Sequence, residues 1–135
     1  MSKKYINKRM VIAINKLSIE LAGGTAHEDN IRAGMSLGFI ENIHTNNLFG
    51  QKIYPDIFSQ AAAYMFYIIK NHVFHDGNKR TGLATAITLL NWNNIHFGTF
   101  QEDKVFDFVI AVAAGSGDAQ NNIHKIAKWL KEMSY

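Results

Sequence analysis

Hydrophobic residues recur at helical spacing along most of the chain, whereas strands would show alternation bounded by frequent turn residues; with Pro55 the one proline, the pattern predicts an all-α fold. From about Asn7 to Leu21, Val11, Ile14 and Leu17, with Ile12 and Leu21, fall on one broad face, and Gly23-Gly24 then stops the helix. Thr25 to Tyr54 is the least regular stretch. Gly34, Gly38, Gly50 and the polar run His44-Thr45-Asn46-Asn47 interrupt it, which predicts a short helix near Ile31 to Ile43 and then a loop or small hairpin. Pro55-Asp56 opens the next helix, and Ile57 to Asn71 is apolar on nearly every side through Phe58, Tyr64, Met65, Phe66, Ile68 and Ile69, as a central buried helix should be. Another helix is expected over Asn78 to Asn91, with Leu83, Ala84, Ile87 and Leu90 as its stripe and Asn93-Asn94 closing it. Glu102 to Ala114 and Ala119 to Met133 supply two more. The last carries Ile123, Ile126, Ala127 and Leu130 at core spacing behind Asp118 or Ser116 as cap, and Gly115-Ser116-Gly117 makes the preceding turn. No internal repeat or low-complexity tract is present.

Composition narrows the function classes. With 135 residues, 47% of them hydrophobic, the chain is expected to form one domain, residues 1–135, around one core. Such a chain buries roughly two-thirds of its unfolded surface, so no disulfide or structural metal is needed to hold it. The absence of cysteine excludes a disulfide scaffold, a cysteine zinc cluster, an iron-sulfur site and a thiol nucleophile. Ala61 to Ile69, the longest apolar run, has nine residues, against the roughly 20 that a membrane-spanning helix requires. The basic start (Lys3, Lys4, Lys8, Arg9) is followed by apolar residues broken by Asn15, Lys16 and Glu20, so a signal-peptide core is missing and a cytoplasmic location is expected. Net charge +3 and pI 9.2 favour anionic partners weakly, and the 14 cations are too dispersed to form a nucleic-acid stripe. Neither direct nucleic-acid binding nor membrane association is expected.

Chemistry concentrates between the buried helix and its successor. His72-Val73-Phe74-His75-Asp76-Gly77-Asn78-Lys79-Arg80-Thr81-Gly82 puts two imidazoles, a carboxylate, two cations and two glycines into eleven residues. Gly77 lets the backbone turn with its amide exposed, and a helix starting at Asn78 aims unpaired amides and its positive dipole end at the same place. Lys79 and Arg80 are adverse in a first helical turn unless an anion compensates them, and phosphate is such an anion. Asp76 then suits a magnesium ion that arrives with a polyphosphate, because one carboxylate plus phosphate oxygens and water is an ordinary Mg2+ shell. His72, four residues earlier, is placed as general base for an incoming hydroxyl. Phe74 points back into the core and fixes the loop. His27, His44, His96 and His124 stand apart, and Trp92 and Trp129 read as packing residues.

His72 to Arg80 resembles the signature of the Fic/Doc superfamily, His-x-Phe-x-(Asp/Glu)-(Gly/Ala)-Asn-(Gly/Lys)-Arg, and every position matches. The resemblance extends over the helices on either side. Fic enzymes that transfer AMP usually carry Gly where this chain has Lys79, and a second Arg where it has Leu83; both departures make it similar to the Doc (death-on-curing) toxins. That branch implies a kinase that moves phosphate from a nucleoside triphosphate, ATP, to a threonine hydroxyl of elongation factor Tu and halts translation. The resemblance further implies His72 as base, Asp76 as magnesium ligand, Gly77, Asn78, Lys79 and Arg80 as phosphate cradle and Phe74 as anchor. It would put a target-aligning flap at about Leu48 to Tyr54. Many Doc relatives have an Arg-Asp pair after the paired glycines, where this chain has Ile31-Arg32-Ala33-Gly34. A self-inhibitory (Ser/Thr)-x-x-x-Glu-(Gly/Asn) helix is approached by Ser36 to Asn42 with one residue too many. On a helix that rotates the pair by about 100 degrees, so inhibition is expected in trans, from a Phd-like antitoxin whose disordered tail folds onto the toxin.

Three other readings compete: an AMP transferase of the Fic type; a metal-dependent phosphohydrolase of the HD type, suggested by the His75-Asp76 doublet; and a binding module with a vestigial loop. The HD reading is weakened because Gly77 breaks the helix directly after the doublet.

Overall fold

The computed structural model describes residues 5–25, 30–45, 47–48, 51–98 and 102–135. Asn7, extended in backbone, starts the first helix, α1 (Lys8–Leu21), by accepting the Met10 amide on its side chain at 2.9 Å. Asp56 does the same for α3 (Ile57–Asn71) through the Ser59 amide, and Asp118 for α6 (Ala119–Glu132) through the Asn121 amide. Between them lie the single-turn helix α2 (Ile40–Ile43), an antiparallel pair β1 (Asn47–Leu48) and β2 (Gln51–Lys52), and helices α4 (Asn78–Trp92) and α5 (Glu102–Ala114). Asn47 pairs with Lys52 and Leu48 with Gln51, which is the small hairpin expected after the irregular segment; residues 49 and 50 of the flap lie outside the described residues.

Helix α3 is the centre of the all-α fold. Nine of its residues are buried, Ala61 to Tyr64 and Met65 completely, and α2, α4, α5 and α6 pack around it. Gly82 sets how closely α4 approaches. A Cβ there would lie 2.7 Å from Ile69 Cγ1 and 3.0 Å from the Met65 carbonyl oxygen, so the two backbones meet where only glycine fits. Helix α1 lies against α4. On α6, Trp129 stacks on Phe108 of α5 with ring centroids 4.0 Å apart, while Trp92 sits partly exposed at the end of α4. Among the described residues, no helix is long and apolar enough to cross a membrane.

Three expectations need correction. The buried face of α1 is Val11, Asn15 and Ile19, whereas Ile12, Leu17 and Leu21 are exposed; a satisfied amide takes the core position that apolarity alone assigned elsewhere. On α4 the buried residues are Thr81, Gly82, Thr85, Ala86, Leu89 and Leu90, with Leu83, Ala84 and Ile87 at the margin, because close approach to α3 selects small side chains. The helix expected from Ile31 to Ile43 is reduced to Ile40–Ile43. Residues 30–32 are instead drawn into backbone pairing with 73–75, and Gly34 turns with φ of 80°.

Candidate active site

Helix α3 ends at His72, which adopts a left-handed conformation (φ 46°, ψ 50°) and is exposed. Non-glycine residues are uncommon there, so the surrounding contacts must hold it. The chain then dives inward. Val73 and Phe74 are buried, and on either side of Phe74 the backbone bonds to the 30–32 segment: the Arg32 amide donates to the Val73 carbonyl at 2.8 Å and the His75 amide to the Asn30 carbonyl at 2.9 Å. Arg32 also donates its guanidinium Nη1 to the His72 carbonyl at 3.0 Å, satisfying a helix-end acceptor. The Ile31-Arg32 loop is therefore a second strand-like wall for the motif.

The Asn78 side chain closes the loop from the other side. Its Oδ1 accepts the Phe74 amide at 3.0 Å and its Nδ2 donates to the Phe74 carbonyl at 2.9 Å. Both polar ends are thus engaged with one residue, and what Asn78 offers a bound anion is its backbone amide. Gly77, with φ of 77°, is the N-cap of α4 and brings no side-chain cap to it; Lys79 and Arg80, in the first turn, are exposed. Lys8 pairs with Glu41 at 3.5 Å, and among the described residues neither Lys79 nor Arg80 forms an ion pair with a carboxylate. The Asp76 carboxylate is exposed, and its Oδ1 accepts the Gly77 amide at 2.7 Å.

Beneath this turn is a buried polar node. Asn15 of α1, 1% exposed, donates Nδ2 to the Asp76 carbonyl and to Thr81 Oγ1, each at 3.0 Å, and accepts from Asn30 Nδ2 at 2.8 Å. All of its donors are used, which avoids the roughly 1–3 kcal/mol cost of an unmade buried hydrogen bond. Neither helical periodicity nor the motif gives Asn15, Asn30 or Thr81 a role at the loop, and Arg32 enters the sequence pattern only as the nearest match to an Arg-Asp pair. A polar residue inside the apolar stripe of α1 was the one signal available.

The structure thus gathers His72, Asp76, Lys79 and Arg80 on one exposed loop, turns the Asn78 side chain inward, and buries Phe74 in the core at 1% exposure. Among the described residues no three His, Asp, Glu or Cys side chains converge as a metal cage, and the His75-Asp76 doublet lies in a loop. The donor set fits the chemistry of Mg2+ carried by a polyphosphate: one exposed carboxylate beside the first amides of α4 and two exposed cations. His44 stacks on Tyr5 with centroids 4.1 Å apart and His96 lies 5.7 Å from the Tyr135 ring, while His27 is outside the described residues. His124 lines a separate cleft of about 310 Å3 with Tyr54, Ser59 and Gln120. That cleft adjoins the start of α3, some 22 Å of helix from the loop.

The region from Ser36 to Asn42 forms no continuous helix. Ser36 Oγ accepts the Gly38 amide at 3.0 Å in a turn, and the helix begins only at Ile40, so no serine–glutamate pair is presented on a helix face.

Comparison with known proteins gives this architecture its relatives. Toxin Doc of Mycolicibacterium smegmatis is 32% identical over 81 residues, 59% of this chain and 62% of that protein, so the match spans just under two-thirds of that relative's length. Protein kinase doc of Escherichia phage P1 is 26% identical over 113 residues, 83% of this chain and 84% of that protein. The Fic/DOC family model matches residues 5–90, from ahead of α1 through the loop to the last turn of α4, and the chain therefore belongs to the Fic/DOC family.

Proposed function

We propose that the chain is a Doc-type toxin that transfers phosphate from ATP to a hydroxyl side chain of a protein, with a threonine of elongation factor Tu as target and arrested translation as the outcome. The observation that carries this reading is the start of α4: an αL glycine without a side-chain cap, followed by two exposed cations and preceded by an exposed carboxylate. The names of the two relatives, a toxin and a protein kinase, support it.

In this reading Gly77 shapes the turn, its own N–H being held by Asp76, while the Asn78 and Lys79 amides and the Lys79 and Arg80 side chains bind phosphate oxygens, where the helix dipole favours negative charge. Asp76 would hold Mg2+, which supplies neutralisation of charge on the phosphate oxygens. His72 orients the target hydroxyl and takes its proton on imidazole nitrogen as the new oxygen–phosphorus bond forms and the bond from the terminal phosphorus to the departing ADP breaks. Lys79 and the apolar Leu83 favour transfer of the terminal phosphate over AMP, because a point charge and a missing second arginine alter how the triphosphate lies. A Phd-like antitoxin acting in trans, in the cytoplasm, completes the proposal.

Incubation with ATP, Mg2+ and translation factors tests it. A phosphate mass added to a target by the native chain, absent with His72→Ala, is the expected result. An added AMP mass would establish the AMP transferase instead. Equal growth arrest by wild type and His72→Ala would overturn enzymatic action altogether.

A further inference from the structure

The Asp76–Gly77 peptide is one rigid trans plane, since none of the described residues has a cis peptide bond, and its two polar groups therefore point in opposite directions. Its carbonyl is held inward by Asn15 at 3.0 Å, with Asn30 Nδ2 at 3.4 Å. Its N–H must then face away from α1, and there it donates to Asp76 Oδ1 at 2.7 Å. The position of the carboxylate is thus tied through a single peptide unit to a buried amide on a different helix. The same amide reaches Thr81 Oγ1, one turn into α4, so it also fixes the direction of that helix's first amides. Asn30 accepts nothing from Asn15 but donates to its Oδ1 at 2.8 Å, which leaves both N–H groups of Asn15 turned toward the loop. Packing reinforces the geometry, since a Cβ at Gly77 would sit 3.2 Å from Ile19 Cγ1 and 3.3 Å from Asn15 Nδ2.

We propose that Asn15 is a positioning residue of the active site: its carboxamide, oriented by Asn30 and bonded to Asp76 and Thr81, aims the Asp76 carboxylate and the opening amides of α4 at a magnesium-bound nucleotide. The inference rests on the functional reading above. It goes beyond the motif, because Asn15 lies 61 residues from Asp76 in sequence and belongs to a helix that contributes nothing else to the loop's chemistry.

The test compares the full-length wild type with Asn15→Asp, which preserves shape but replaces the donating nitrogen with an acceptor facing the Asp76 carbonyl, and with Thr81→Val, which removes one of the two accepted bonds. Two measurements are made: calorimetric affinity for ATP across a Mg2+ titration, and amide exchange without ligand. In Asn15→Asp the affinity at limiting Mg2+ should fall on the order of tenfold, equivalent to about 1.4 kcal/mol, and should recover partly as Mg2+ is raised. Thr81→Val should show a smaller loss of the same form. The Phe74 and His75 amides should exchange faster in both variants while those of α6 stay as in wild type. If Asn15→Asp does not fold, Thr81→Val and Asn30→Ala carry the same comparison. Wild-type affinity and Mg2+ dependence in the folded variants would overturn the inference, as would a loss unaffected by Mg2+ and accompanied by faster exchange throughout. Failure of the functional reading looks different: the wild type itself would bind no nucleotide.

Discussion

Both ends of α3 are rich in polar chemistry, and they use it in opposite ways. At the start, Asp56 accepts the Ser59 amide at 2.9 Å and its hydroxyl at 2.8 Å, Gln60 Nε2 donates to the Tyr54 carbonyl at 3.1 Å, and the Tyr54 and Tyr67 hydroxyls meet at 3.4 Å. Nearly every group there is consumed by the protein, with Gln60 Oε1 the exception, buried without a partner. At the end, the backbone of residues 72–77 is held by Arg32, Asn78, Asn15 and the 30–32 segment, while the side chains of His72, Asp76, Lys79 and Arg80 are exposed. The difference teaches how to separate stabilising polarity from chemical polarity: in the first the side chains satisfy the backbone, in the second the backbone restrains the side chains' carriers and leaves the functional atoms to a ligand.

The contrast breaks most visibly at His72. His72→Ala should lower phosphoryl transfer roughly a hundredfold to ten-thousandfold, measured by phosphate incorporation, with a melting temperature close to wild type because the side chain is exposed. The opposite pattern is expected from the buried tyrosines. Burial pushes the Tyr54 hydroxyl strongly upward, aided by its bond to Tyr67, and burial raises Tyr64 from 10.0 to about 12. Both are protonated in the fold where the unfolded chain would be ionised, so stability is complete below pH 10 and is lost as pH rises toward 12. The full Tyr64 share is about 2–3 kcal/mol, of which roughly half should be lost between denaturant titrations at pH 9 and pH 11.

Gly77→Ala should couple the two behaviours. A side chain at φ of 77° costs about 1–2 kcal/mol, and the shift of the loop should weaken ATP binding as well, which urea melts and calorimetry would measure together. Asp56→Ala should cost about 1 kcal/mol of stability by the same melts and leave transfer unchanged, since it caps α3 at the end away from the loop. The smallest change in stability is expected from the double replacement of Lys79 and Arg80 by Ala. It should abolish salt-sensitive nucleotide binding yet stabilise the free protein slightly, by about 0.3–1 kcal/mol per charge at most, because cations oppose the dipole at a helix start.

Much of this was legible in the sequence, and the exceptions share a cause. The bounds of α3 and α5 follow from Pro55-Asp56 and from apolar spacing, and the motif announces its own loop, because these signals are local. Asn15 was not legible as a core residue: its burial depends on partners at positions 30, 76 and 81, which no helical periodicity can reveal. Ile31 and Arg32, expected in a helix, are extended for the same reason, their backbone partners being more than 40 residues away at Phe74 and Val73. On α4, Thr81 and Thr85 displaced the apolar stripe because the contact with α3 rewards small volume more than hydrophobicity.

The two-ended grip of Asn78 on Phe74 turns the intervening residues into a noncovalent ring. Their conformational entropy is lost when the chain folds, so a ligand that docks there meets a preorganised surface. The heat capacity change on docking should accordingly be small, reporting the surface covered and not the ordering of a loop.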